Sequence, residues 1–212
     1  MYTRVGIVCG VLLTVILVLT VWNPVTVAEE IKNLVSNPDF DMDMNTVVDW
    51  TIGGGGTLTI DKKEKFPVGS VAKAQIDAPG ANDWEPEIHS KAFDVKNGTM
   101  YTCSFWAKAD ADKRPIAVKY EQLDTWVGPS QNFSLTDKEM IEYSFSPIMT
   151  MGSPPQVVIH IQFNKIKGGV WFAHFRVYEG KYVKDEINLG GKPKTVTPGG
   201  KLASSWGEIK SR

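Results

Sequence analysis

Cysteine is almost missing from this chain. Of 212 residues, only Cys9 and Cys103 carry a thiol, and Cys9 lies in an N-terminal apolar segment expected to be removed. One remaining cysteine cannot close an intramolecular disulfide, so stability has to come from a packed core even in an oxidising compartment. In "YTCSFWAKA" Cys103 shares strand parity with Tyr101 and Phe105, the position of a small buried hydrophobe rather than of a reactive thiol. Basic clusters are lacking too. The formal net charge is -1, with no Arg-rich run, which argues against a nucleic-acid partner. The machinery of catalysis is equally thin. His89, His160 and His174 do not pair at a spacing such as H-x-x-x-H, and no G-x-S-x-G turn or phosphate-binding glycine loop occurs, which argues against a dedicated catalytic metal or a serine-histidine centre.

What is present begins with Arg4, an apolar run of roughly 18 residues from Val5 to Trp22, and the small-residue site Thr26-Val27-Ala28, the layout of a secretory signal peptide. Cleavage is expected after Ala28, with an uncleaved membrane anchor as the alternative. Residues 1–28 are thus read as a signal peptide, 29–180 as one domain, and 181–212 as a linker and tail. The central stretch is long enough for one well-buried core and too short for two.

Inside it, helical periodicity gives way to short alternating runs. Strands are expected at 57–60, 71–77, 87–95, 99–109, 115–123, 131–135, 141–148, 156–163 and 170–179, separated by turn clusters such as "APGAND", "VKNGT" and "KIKGG". Many short strands at fairly regular spacing predict an all-β, antiparallel β-sandwich of jelly-roll type. After Glu179 the chain turns to "GGKPKTVTPGG", a flexible-linker composition. It ends in "KLASSWGEIKSR", where Leu202, Trp206 and Ile209 would form one apolar stripe on a short helix, either a disordered tail or a segment that docks to a partner.

Two features suggest a binding face. In "VVIHIQFN" one parity carries Val157, Ile159, Ile161 and Phe163, while the other carries Val158, His160, Gln162 and Asn164. His160 and Gln162 can both donate and accept hydrogen bonds. Trp84 in "NDWEPEI" and Trp126 in "LDTWVGPSQ" stand among Asp, Glu, Pro and Gly, unlike Trp106 and Trp171, which lie within apolar strands. An exposed indole beside amides and carboxylates is a platform for the apolar face of a sugar ring; the alternative is an aromatic that closes the end of a core. Glu85 and Glu87 share parity as a carboxylate pair, yet the E-x-D-x-x-E pattern of jelly-roll glucanases is missing, so Glu87 is read as a polar contact rather than as a catalyst.

"NLVSNPDFD", "DW" at 49–50, "YTCSFWAKAD", "IEYSFSPI" and "GGVWFAHFRVYE", in this order over Asn33 to Glu179, resemble carbohydrate-binding modules of the family 4 and 9 type. These are β-jelly rolls of the galactose-binding-like superfamily. The resemblance implies a non-catalytic domain that holds a β-linked polysaccharide or oligosaccharide on a concave face, with Trp84 and Trp126 stacking sugar rings and His160, Gln162 and Glu87 supplying polar contacts. A cell-surface or matrix interaction module without sugar binding is the alternative, and a glycoside hydrolase comes third. The resemblance also implies a structural Ca2+ held near the "N-x-D-F" start, with Asp39 and Asp41 as its ligands. The matching acid of the last strand is missing, because Ala173 and His174 stand there.

Overall fold

The computed structural model describes residues 31–151 and 156–187. The expected signal segment and the Leu202/Trp206/Ile209 stripe lie outside these residues. Among the described residues the strands are β1 (Trp50–Ile52), β2 (Gly56–Ile60), β3 (Ala72–Ile76), β4 (Glu87–Ser90), β5 (Phe93–Asp94) and β6 (Tyr101–Ala109), followed by β7 (Arg114–Gln122), β8 (Ser130–Leu135), β9 (Ile141–Phe145), β10 (Gln156–Gln162) and β11 (Gly168–Glu179). Each expected strand is present with shifted ends. The run expected at 87–95 is divided into β4 and β5, and β1 is an addition.

All named pairings are antiparallel. One sheet has the order β1-β4-β10-β7-β8, with β5 also on β10, and the other has the order β2-β3-β11-β6-β9. The two inner faces form one core from the alternating positions the sequence marks. Ile116, Val118 and Tyr120 of β7 and Val157, Ile159 and Ile161 of β10 face Cys103 and Phe105 of β6 and Phe172, Phe175 and Val177 of β11. Phe105 stacks on Phe175 with centroids 5.1 Å apart, and Trp50 lies 4.7 Å from the same ring. Fully burying such a side chain contributes about 1.5–3 kcal/mol, which explains how the domain dispenses with disulfides.

The last strand breaks its own alternation. Phe172 and Phe175 both point inward, three positions apart, and this requires one extra residue in the strand. The register against β6 shifts between Ala173 and Arg176, and His174 takes a left-handed φ of 47°. A bulge of this kind re-aims a side chain. It is pinned by the N-terminal segment, where Asn33 Nδ2 donates to Phe175 O at 2.7 Å and Phe175 N donates to Pro38 O at 2.9 Å.

The outer face of the second sheet is covered over β6, which is therefore buried on both sides along most of its length. Trp106 is therefore buried outside the sandwich rather than within it, against Phe66, Val71, Met140 and Ala173, and Trp171 packs partly exposed beside this cluster. The cover extends beyond the expected boundary at Gly180. Asp185 Oδ2 accepts from Trp106 Nε1 at 3.1 Å, Tyr182 OH donates to Glu142 at 2.7 Å, and Ile187 packs against the Trp106 cluster. These side chains find partners on the sheet that a linker composition does not reveal.

Candidate functional site

Strand register places the site. In the first sheet His160 of β10 is paired with His89 of β4 and with Lys119 of β7, while Gln162 is paired with Glu87 and Ala117. Directly paired residues share a face. With Ile88, Ile159 and Val118 turned inward, the outer face therefore gathers Glu87 and His89, His160 and Gln162, and Lys119 and Glu121. Two loops rise beside it. Trp84 precedes β4, and Trp126 lies between β7 and β8.

The groove between them encloses about 500 Å3 and is lined by Trp84, Glu87, Lys119, Glu121, Trp126, His160 and Gln162. All five expected contact residues thus meet in one place. Trp84 and Trp126 are 48% and 60% exposed, so neither ring closes the core. Their positions are built in. Trp126 has a left-handed φ of 59°, and its loop is tied to β7 by Trp126 N donating to Gln122 O at 3.0 Å and Lys119 Nζ donating to Trp126 O at 2.5 Å. Gly128 follows because a Cβ there would fall 1.7 Å from Tyr120 O.

His160 departs from expectation. Although it is on the outward parity, it is only 2% exposed, covered by the longer side chains around it. Its Nδ1 lies 2.5 Å from Glu121 Oε2 and its Nε2 lies 2.8 Å from Glu87 Oε2, while Lys119 Nζ pairs with Glu121 Oε2 at 3.0 Å. The imidazole is the floor of the groove and lies between two carboxylates, hydrogen-bonded to that of Glu121. Burial pushes the Glu121 carboxyl up, but hydrogen bonds from His160 and Lys119 and their charges outweigh it, leaving its pKa below the ordinary value. His89 is shifted down by burial first and by the neighbouring His160 second, against the opposing pull of Glu87 and Glu121.

His89, Lys119 and Glu121 were missed in the sequence. The alternation of "PIAVKYEQL" puts Lys119 and Glu121 on the outward face, and that signal could have found them. No local pattern could have found His89 beside His160. Glu85 stays in its own loop, where its carboxylate accepts from Asn82 N at 3.3 Å. The expected calcium ligands also lie apart from the groove. Asp39 Oδ1 is engaged by His174 Nδ1, and Asp41 is exposed.

Among solved structures, the chain is similar to a CBM4 domain, with 22% identity, a TM-score of 0.56, and coverage of 69% of this chain and 99% of the other. It is similar to the CBM1 of BiXyn10A, with 11% identity, a TM-score of 0.53, and coverage of 67% and 95%. It is also similar to TmCBM61, solved with β-1,4-galactotriose, with 13% identity, a TM-score of 0.50, and coverage of 70% and 99%. At these identities the likeness shows the jelly-roll fold. Comparison with the curated proteins finds no match. Residues 32–165, more than half of the chain, match the carbohydrate binding domain family that combines types 4 and 9, and the chain belongs to that family.

Proposed function

We propose that the domain holds a β-linked oligosaccharide or polysaccharide in the groove of its first sheet without cleaving it. The observation that carries this reading is the pair of exposed indoles, Trp84 and Trp126, beside one continuous set of hydrogen-bonding side chains. The indoles supply flat apolar surface for pyranose rings, and Gln162, Glu87 and Lys119 supply the donors and acceptors that read hydroxyls. His160, at 2% exposure, holds Glu121 through its Nδ1 rather than reading hydroxyls itself. TmCBM61 with its β-1,4-galactotriose is a precedent for a β-linked ligand on this fold.

Glu121 is poorly suited to act as a general acid. A glycosidase general acid needs a raised pKa, whereas Glu121 is held down by His160 and Lys119. The proposal includes export, supported by Arg4, the apolar run and Thr26-Val27-Ala28. It does not include structural calcium. That ion takes six to eight oxygens, and here the Asp39 carboxylate is engaged by an imidazole instead.

A glycan array followed by calorimetry on its best ligand tests the reading. Saturable binding without release of reducing sugar is expected. Failure to bind any β-linked glycan, in a correctly folded sample, would favour an interaction module without sugar binding.

A further inference from the structure

Antiparallel register leaves His89 and His160 opposite one another, with ring centroids 4.5 Å apart and planes at 82°. His160 is almost wholly buried, and Glu121 holds its Nδ1 at 2.5 Å, which aims Nε2 across the sheet toward β4. That Nε2 is 2.8 Å from Glu87 Oε2, yet the two are not aligned as donor and acceptor, and the nitrogen makes no hydrogen bond. The Nε2 of His89 is also buried without a hydrogen bond, 3.6 Å from Glu87 Oε1. Two buried nitrogens left in this state are costly by themselves. They converge on one carboxylate, and ligand atoms of Glu87, His89 and His160 all lie within 4.8 Å of one another.

We propose that Glu87, His89 and His160 form a binding site for a zinc-class divalent ion, with the two Nε2 atoms and a carboxylate oxygen as ligands and a further position open to the groove. Imidazole with carboxylate suits zinc, copper and nickel, whereas magnesium and calcium prefer all-oxygen shells. Zinc bonds of about 2.0–2.2 Å set neighbouring tetrahedral ligands about 3.3 Å apart. The separations are 2.8 Å from Glu87 Oε2 to His160 Nε2 and 3.6 Å from Glu87 Oε1 to His89 Nε2, so the carboxylate presents one oxygen to each ring at distances on either side of that value. Two histidines and one glutamate around zinc form a donor set that leaves a coordination position for an exchangeable ligand. Glu121 completes the arrangement as an outer carboxylate on the non-ligating nitrogen of His160, the partner that fixes ring orientation in metal sites. Lys119, 3.0 Å from Glu121, balances the charge of that outer carboxylate. The site does not depend on sugar binding.

The test is calorimetric titration of ZnCl2 into the full chain without an affinity tag or sugar. One ion per chain is expected. His89→Ala and Glu87→Gln should each weaken binding at least tenfold, and Glu121→Gln roughly tenfold as an orienting residue. His174→Ala, which alters the separate cluster with Asp39 and Asp185, should leave zinc binding unchanged. Copper loading read by electron paramagnetic resonance gives a second measurement, with coupling to two imidazole nitrogens in the parent and one in His89→Ala. Because His89 is partly exposed, the test does not rely on a His160 variant that fails to fold. No saturable uptake at millimolar zinc would overturn the proposal, as would uptake that persists in both His89→Ala and Glu87→Gln or is lost in His174→Ala.

Discussion

His174 and Asp39, 135 residues apart in sequence, are joined by a hydrogen bond from Nδ1 to a carboxylate oxygen, and the other ring nitrogen lies 3.3 Å from Asp185 Oδ2. The bulge in β11 makes the contact by turning His174 outward, so a side chain bridges the N-terminal segment and the residues that follow the last strand. The bridge is internal to the chain. Calcium added to the metal-free protein is therefore expected to move the melting temperature by less than about 2 °C, while His174→Ala lowers it by more than Asp41→Ala does. A calcium-dependent rise above about 10 °C, several kcal/mol for a domain of this size, would show a structural ion after all. Differential scanning calorimetry of the metal-free protein with and without added CaCl2 decides it.

Truncation after Gly180 is expected to destabilise the domain. It removes Asp185 from Trp106 Nε1, Tyr182 from Glu142, the Val183 carbonyl from Arg176, and Ile187 from the Trp106 cluster. A buried indole nitrogen left without an acceptor, added to the lost packing, costs about 2–3 kcal/mol. Truncation after Ile187 keeps these contacts and serves as the comparison in urea unfolding. Equal stability of the two truncated forms would show that residues 181–187 add nothing.

Trp84→Ala and Trp126→Ala are each expected to cost about 2 kcal/mol of glycan binding, roughly thirtyfold in affinity, as central aromatic anchors do. Stability should change by less than about 0.5 kcal/mol, since both rings are solvent-facing. Gln162→Ala should alter the preference among glycans more than the affinity for the best one, because it removes hydrogen bonds rather than contact area. Unfolding of either tryptophan variant, or unchanged affinity, would make the indoles structural.

The acid limb of stability should depend on Asp61. Its Oδ2 accepts from Trp171 Nε1 at 2.6 Å and its Oδ1 from the Lys63 and Glu64 amides at 2.8 and 3.1 Å. The Trp171 bond is the main reason its pKa is lowered from 3.8. A depressed folded pKa means that the unfolded chain binds more protons, so stability from this group is complete above the unfolded value and is lost as pH falls through the folded one. The parent should lose stability more steeply than Asp61→Asn between roughly pH 4.5 and pH 2.5. Parallel pH profiles in urea unfolding would contradict this.

Much of the site was legible because its signals are local. The outward parity of "VVIHIQFN" marked His160 and Gln162, and the polar neighbours of Trp84 and Trp126 marked them as rim residues before any fold was known. The burial of His160 was not legible, since it depends on side chains from β4 and β7 reaching over it. The cover over Trp106 was not legible for a similar reason. Its strand neighbours are apolar, but the residues that bury it, Phe66, Met140 and the segment to Ile187, come from elsewhere.

By itself the sequence determined the all-β class and most of the strand list and inward faces, β1, the break between β4 and β5 and the bulge of β11 excepted, because a period of two is a property of the extended backbone that each segment carries alone. Only the tertiary structure decided which strands lie side by side. It set β4 against β10 and β10 against β7, bringing His89, Glu87, His160, Glu121 and Lys119 into one cluster. Strand order and register follow from burying two faces at once in a shared core, a condition on the whole chain that no single segment contains.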